Sequence, residues 1–219
     1  MATVVVTGAN RGIGLEYCRQ LRSRGDRVIA ICRSPSEELQ KLDIRIESDV
    51  DITSDESVAE LAKHLEGTPI DVLINNAGIL QRVTLNELDF DSIRQQFEVN
   101  ALGALRVTHR LLPNLHEGSK VIFMTSRMGS ISDNTSGSSY GYRMSKVAMS
   151  MAGKSLSHDL KSQGIAVGIL HPGMVSTRMT GFSGISTEES VQHLLQRIDE
   201  LNLDNTGTFW HATGDILPW

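Results

Sequence analysis

The chain has 219 residues, 40% of them hydrophobic and 21% charged, which is enough for one sizeable core and too little for two ordinary domains. A formal net charge of -5 at a pI near 5.8 argues against nucleic acid or an anionic membrane as a partner. No apolar run approaches membrane-spanning length, and the opening run Ala2 to Val6 has no basic lead, so a cytoplasmic protein without a secretory signal is expected.

Taken in chain order, apolar runs of strand length alternate with amphipathic runs of helix length. Strands are predicted at Val4 to Thr7, Arg27 to Cys32, Arg45 to Glu47, Val72 to Asn75, Lys120 to Thr125, Ala166 to Leu170 and Thr208 to His211. Between them fall helices at Gly12 to Arg24, Ser54 to Leu65, Asp91 to Leu115, Tyr140 to Ser162 and Thr187 to Asn202. Such alternation predicts an α/β fold, a doubly wound, parallel seven-stranded sheet with helices on both faces, in a single domain over 1-219. Thr53 with Glu56, and Ser186 with Glu189, have capping-box spacing, and Gly25 closes the first helix. The arginines at 19, 22 and 24 suit the negative end of that helix better than a nucleic acid. Cys18 and Cys32 have no paired spacing and read as buried, reduced thiols. The seven histidines are scattered, so no metal is expected.

The first strand runs directly into Thr7, Gly8, Ala9, Asn10, Arg11, Gly12, Ile13 and Gly14, and then into a helix. Glycines let the backbone turn tightly and approach a pyrophosphate, while the free N–H groups of the helix N-terminus face its charge. The spacing is GxxxGxG rather than GxGxxG. At the end of the second strand, where an acid would hold a ribose 2′-hydroxyl, stands Arg33, and Arg11 lies within the glycine loop. Two guanidinium groups suit a 2′-phosphate, so NADP(H) is the expected cofactor. A methyltransferase reading of the same loop is disfavoured, because it also needs the acid that Arg33 replaces. There is neither a GxxxxGK[ST] nor an HExxH sequence.

Tyr142 and Lys146 are four apart in a predicted helix and share one face. An ammonium beside a phenol is expected to favour the phenolate and lower its pKa. With the glycine loop, Asp49 after the third strand, NNAG from Asn75 to Gly78, Asn100, Ser126, YRMSK from Tyr142 and HPGMVST from His171, the sequence resembles the short-chain dehydrogenase/reductase family along nearly its whole length. Within it the likeness is to Sniffer-type carbonyl reductases and C-factor-like proteins.

The resemblance implies that Tyr142 is the general acid in reduction of a small-molecule carbonyl substrate, and that Ser126 hydrogen-bonds the substrate oxygen. Lys146 grips the nicotinamide ribose, and Asn100 holds a water linking Lys146 to solvent. Asp49 accepts from the adenine amino group and Val50 supports the ring. Asn76, Ala77 and Gly78 border the adenosine ribose; Pro172, Gly173, Val175 and Thr177 line the nicotinamide. The Ser126-to-Tyr142 interval is 16 residues, longer than usual for the family, and Gly129 falls where the usual count puts the serine. Ser126 is the expected serine and Ser130 the fallback.

The stretch near 178-186 is expected to be a short lid over the substrate, hinged on Gly181 and Gly184, with Met128, Met174, Met179 and Phe182 as apolar walls. The family implies a homodimer or homotetramer joined by the helices around Leu102 and Met149, with close packing at Ala101, Gly103, Ala104, Ala148 and Ala152. Two readings of function remain: an oxidoreductase, and an NADP(H)-binding signalling or regulatory protein of C-factor type.

Overall fold

The computed structural model describes residues 1–219. Seven strands, β1 (Thr3–Thr7), β2 (Arg27–Ile31), β3 (Arg45–Glu47), β4 (Ile70–Asn75), β5 (Leu115–Met124), β6 (Ala166–His171) and β7 (Phe209–His211), pair in parallel in the order β3-β2-β1-β4-β5-β6-β7. The helices are α1 (Gly12–Ser23), α2 (Glu37–Gln40), α3 (Asp55–His64), α4 (Phe90–Phe97), α5 (Gly103–Leu111), α6 (Tyr140–Asp159) and α7 (Thr187–Glu200). The predicted doubly wound sheet is therefore the observed one.

Both faces of the sheet are buried, and the period of two in the strands decides which side chain serves which face. Val4 and Val6 pack with Leu15, Cys18 and Leu21 of α1 and Val191 and Leu194 of α7. Val5 points the other way, into a second core with Leu61 of α3, Val107 of α5 and Met149 of α6. Each such valine is fully buried, a gain of about 1.5–3 kcal/mol per side chain. Burial and neighbouring Cys32 push the Cys18 thiol up to about 12, as expected of an inert core thiol.

Helix ends follow local chemistry. Gly25, at φ +86°, donates its N–H to Arg22 while Asp26 donates to Leu21, a Schellman close to α1. Arg24 of that cluster pairs with Asp26 and with Asp199 of α7. Ser186 caps α7 by accepting from the Glu189 N–H at 3.0 Å. The cap of α3 is Ser54, not Thr53: Ser54 accepts from the Ser57 N–H, whereas the Thr53 hydroxyl donates to Asp51.

The single helix predicted from Asp91 to Leu115 is three pieces. A π turn at Glu98–Leu102 separates α4 from α5, with the Gly103 N–H donating to the Glu98 carbonyl five residues back. Pro113, which has no N–H to give, sits in a 3₁₀ turn after Leu111, and β5 already begins at Leu115. The expected intersubunit residues also divide. Met149, Ala101, Gly103 and Ala104 face the chain's own core, Ala148 and Ala152 are half-buried, and Leu102 is exposed.

Candidate active site

The sheet reverses its order of growth between β1 and β4, and the loops leaving the carboxyl ends of these strands part to form a crevice. On one side of it, Gly8 lies so close to β4's exit that a Cβ there would stand 2.8 Å from the Ala77 Cα. A Cβ on Gly14 would meet the Gly8 carbonyl oxygen at 2.2 Å, so only glycine lets α1 start this near the loop. Gly12, at φ +54°, has only Thr177 nearby, at 3.5 Å. Thr7 braces the junction by accepting from the N–H groups of Asn76 and Ala77 at 3.0 and 3.1 Å. The Asn76 amide donates back to the carbonyls of Thr7 and Gly8, so it fastens the loop.

Asn10 donates to the Ser34 carbonyl at 3.3 Å, which ties the glycine loop to the segment after β2 and sets the exposed Arg11 and Arg33 on the same edge. The Asp49 N–H reaches the Arg33 carbonyl and the buried Val50 reaches Cys32. A hollow of about 330 Å³ beside Arg33 is lined also by Thr53, Arg94 and Val99. A glycine cradle at a helix N-terminus with two free guanidinium groups at its rim fits a phosphorylated dinucleotide. Thr7 opens the glycine-loop motif without a role that the sequence assigns to its side chain, and Arg94 carries no motif that singles it out.

On the other side, β5 and β6 deliver the chemistry. Ser126 lies two residues beyond the end of β5 and caps a 3₁₀ turn, its hydroxyl accepting from the Met128 N–H at 3.1 Å. Tyr142 and Lys146 project from one face of α6, both buried. Ser126, Tyr142, Ile13, Pro172, Gly173, Val175 and Thr177 line one cleft of about 490 Å³. Gly78 borders Lys146 instead: a Cβ on it would lie 3.5 Å from the ammonium and 3.2 Å from the Asn100 Oδ1.

The electrostatics differ from the sequence expectation. Burial pushes the Tyr142 phenol up to about 12, against a smaller downward pull from the Ser126 hydroxyl. Burial also lowers Lys146 to about 8. The ammonium lies 5.7 Å from the Tyr142 ring centroid and donates to the Met124 carbonyl, so in this arrangement desolvation outweighs charge proximity. Asn100, inside the π turn, has both amide hydrogens engaged: it takes the Ile79 N–H and donates to the Ile79 carbonyl and to Ser145, each at 2.8–2.9 Å. Its side chain therefore holds the strand exit against α6 and has no donor left for a water.

Gly129 sits against α6, where a Cβ would meet the Lys146 carbonyl carbon at 2.8 Å, so no serine fits at the usual count. Ser130 accepts from the Asp133 N–H and is not part of the cleft wall. Met128, Met174 and Met179 line the cleft, but Phe182, 69% exposed, does not. The 178–186 stretch is pinned by Phe182 to Thr177, Ser176 to Ile185 and Ile185 to Met174 main-chain bonds. His171, unassigned by the sequence reading, also lines the cleft; its Nδ1 is buried without a partner.

Comparison with known proteins agrees with this geometry. The family model of short chain dehydrogenases matches residues 2–188. The chain is 43% identical, over all of both chains, to 1-hydroxy-2-glutathionyl-2-methyl-3-butene dehydrogenase of Rhodococcus sp. strain AD45. It is 44% identical to the C-signal of Myxococcus xanthus over 69% of this chain and 93% of that protein. The NADPH-bound carbonyl reductase from chicken fatty liver superposes with a TM-score of 0.92 at 28% identity, covering 100% of this chain and 99% of that one.

Proposed function

The chain belongs to the short-chain dehydrogenase family, and on that premise we propose that this oxidoreductase transfers hydride between NADP(H) and a carbonyl or alcohol substrate, with Tyr142 as its acid and base. The observation that carries this reading is the shared cleft of Ser126 and Tyr142, reached by the nicotinamide-side residues Pro172, Gly173, Val175 and Thr177. NADP(H) supplies the hydride equivalent.

Gly8, Asn10, Gly12, Ile13 and Gly14 would hold the pyrophosphate, and Arg11 and Arg33 the 2′-phosphate. Asp49, Val50, Asn76, Ala77 and Gly78 form the adenosine side. Ser126 and Tyr142 donate hydrogen bonds to the substrate oxygen and stabilise the charge that develops on it in reduction. A phenol held at about 12 stays protonated through the neutral range and is ready as a donor. Once it gives its proton, the Lys146 ammonium beside the ring faces a phenolate, and its own lowered pKa lets it return a proton.

The Rhodococcus relative's name states an alcohol bearing a glutathionyl group, and the polar outer part of this cleft, Arg127, Asp133 and Thr135, suits an extended polar substituent. Likeness to C-signal supports a second reading, a signalling protein with little turnover. One experiment separates them. NADPH oxidation is followed with a panel of aldehydes, ketones and quinones for the native chain and Tyr142→Phe. Turnover in the native chain that falls by about 10³-fold in the variant supports hydride transfer; NADPH binding without turnover in the native chain supports the signalling reading.

A further inference from the structure

Three charged side chains line the cleft of Ser126 and Tyr142: Arg127, Asp133 and Arg143. In a chain of net charge -5, this wall carries one more cation than anion. Arg143 is committed to the protein, donating to the carbonyls of Met128, Gly137 and Ser138 and to the Ser136 hydroxyl. It braces the loop and has little left for a ligand.

Arg127 is placed differently. It follows Ser126 directly, its side chain is 57% exposed, and it pairs through Nε with the Asp133 carboxylate. A guanidinium has five N–H donors in a planar fork, so engaging Nε leaves terminal donors for another oxygen acid. Its field reaches the cleft floor. After burial and His211, Arg127 is the third cause that holds the His171 imidazole down to about 3.

We propose that Arg127 docks a carboxylate borne by the substrate, so that the cleft takes carbonyl compounds and alcohols of the carboxylic-acid class. The proposal rests on the hydride-transfer reading and names the substrate class of that same site. Asp133 engages Nε and leaves the terminal donors of Arg127, a side chain that lines the cleft, for the acid group. Met128 and Met179 line the same cleft and offer apolar surface to the rest of such a substrate.

The test is a matched pair of aldehydes, 4-formylbenzoate and its methyl ester, reduced with NADPH by the native chain and by Arg127→Met and Arg127→Lys. Native kcat/KM is expected to favour the acid by about tenfold, with the difference in KM, and to narrow in high salt. Arg127→Met removes the preference and Arg127→Lys keeps part of it. Asp133→Asn, which leaves the cation in place, retains the preference for the acid. Equal kcat/KM for acid and ester in the native chain, or a preference that survives in Arg127→Met, overturns the proposal while leaving hydride transfer intact. Turnover of neither aldehyde, with no turnover of other carbonyl compounds either, overturns the hydride-transfer reading and this one with it.

Discussion

The Lys146 ammonium donates to the main-chain carbonyl oxygen of Met124 at 2.8 Å, so the charge on α6 is held by the last residue of β5. That bond fixes where the cation stands relative to Tyr142 and the end of the sheet. It does not repay the full cost of burying the charge, since Lys146 is still lowered to about 8. The unfolded lysine titrates near 10.4, so below pH 8 both states are charged and the whole penalty is present. Between 8 and 10.4 the folded lysine is neutral and the unfolded one charged, and the penalty fades. Lys146→Met is therefore expected to raise stability at pH 7 by about 2 kcal/mol, net of the lost hydrogen bond, with the gain vanishing toward pH 10.5. Urea unfolding at the two pH values measures it, and turnover should fall steeply in the same variant. An unchanged or lower midpoint at pH 7 contradicts the burial argument.

Gly129 is the companion constraint. A methyl group there would meet the Lys146 carbonyl carbon at 2.8 Å and the Val147 nitrogen at 3.0 Å, which is helix backbone and cannot give way. Gly129→Ala is expected to displace α6 at Lys146 and Val147, cost about 1–3 kcal/mol and reduce activity more than stability alone explains. For the same reason, Gly129→Ser in a Ser126→Ala background should restore nothing. Recovery of turnover in that double variant places the working serine at 129.

How much of this was legible in the sequence depends on the range of the interaction. The seven strands and their order along the chain follow from continuous apolar runs of strand length between amphipathic helical segments, and the glycine loop announces itself because a strand, a tight turn and a helix start are all local. Even the departure at Gly129 is visible as a count. The π turn at Glu98–Leu102 is not, because its period is close to that of an ordinary helix. It shows in the Gly103 N–H reaching back to the Glu98 carbonyl, and Asn100 within it bonds to Ile79 and Ser145 of two other segments. The cap at Ser54 was misplaced by one residue because Thr53 is an equally good capping residue; its capture by Asp51 decided the matter. The Tyr142 phenol was misjudged in sign, since helical spacing shows the ammonium and hides the burial that raises the phenol.

Cofactor choice is testable at Arg33. It is exposed at the rim of the dinucleotide crevice, and an aspartate there would repel a 2′-phosphate and accept from a 2′-hydroxyl. Arg33→Asp is expected to weaken NADPH binding by about 10–100-fold, the worth of a charge-assisted bond, and to leave NADH binding equal or tighter. Fluorescence titration with both coenzymes reads this without turnover. If the NADPH-to-NADH ratio of Kd values is the same in both proteins, Arg33 does not read the phosphate.

Acid sensitivity should centre on His171. Burial first, then His211 and Arg127, hold its imidazole down to about 3, and the buried Nδ1 has no partner that a proton would satisfy. An unfolded histidine takes a proton near 6.5. The direction follows: above 6.5 both states are neutral and nothing is lost, whereas from 6.5 down to about 3 the unfolded chain binds a proton that the folded chain refuses. Stability therefore falls with pH across this window, by about 3 kcal/mol at pH 4 from this residue alone. His171→Gln, which cannot titrate, should lose correspondingly less stability between pH 7 and pH 4 in urea unfolding, whatever its stability at pH 7. Parallel losses in the two proteins would mean that the acid response comes from the carboxylates, and that His171 is protonated in the folded chain as readily as in the unfolded one.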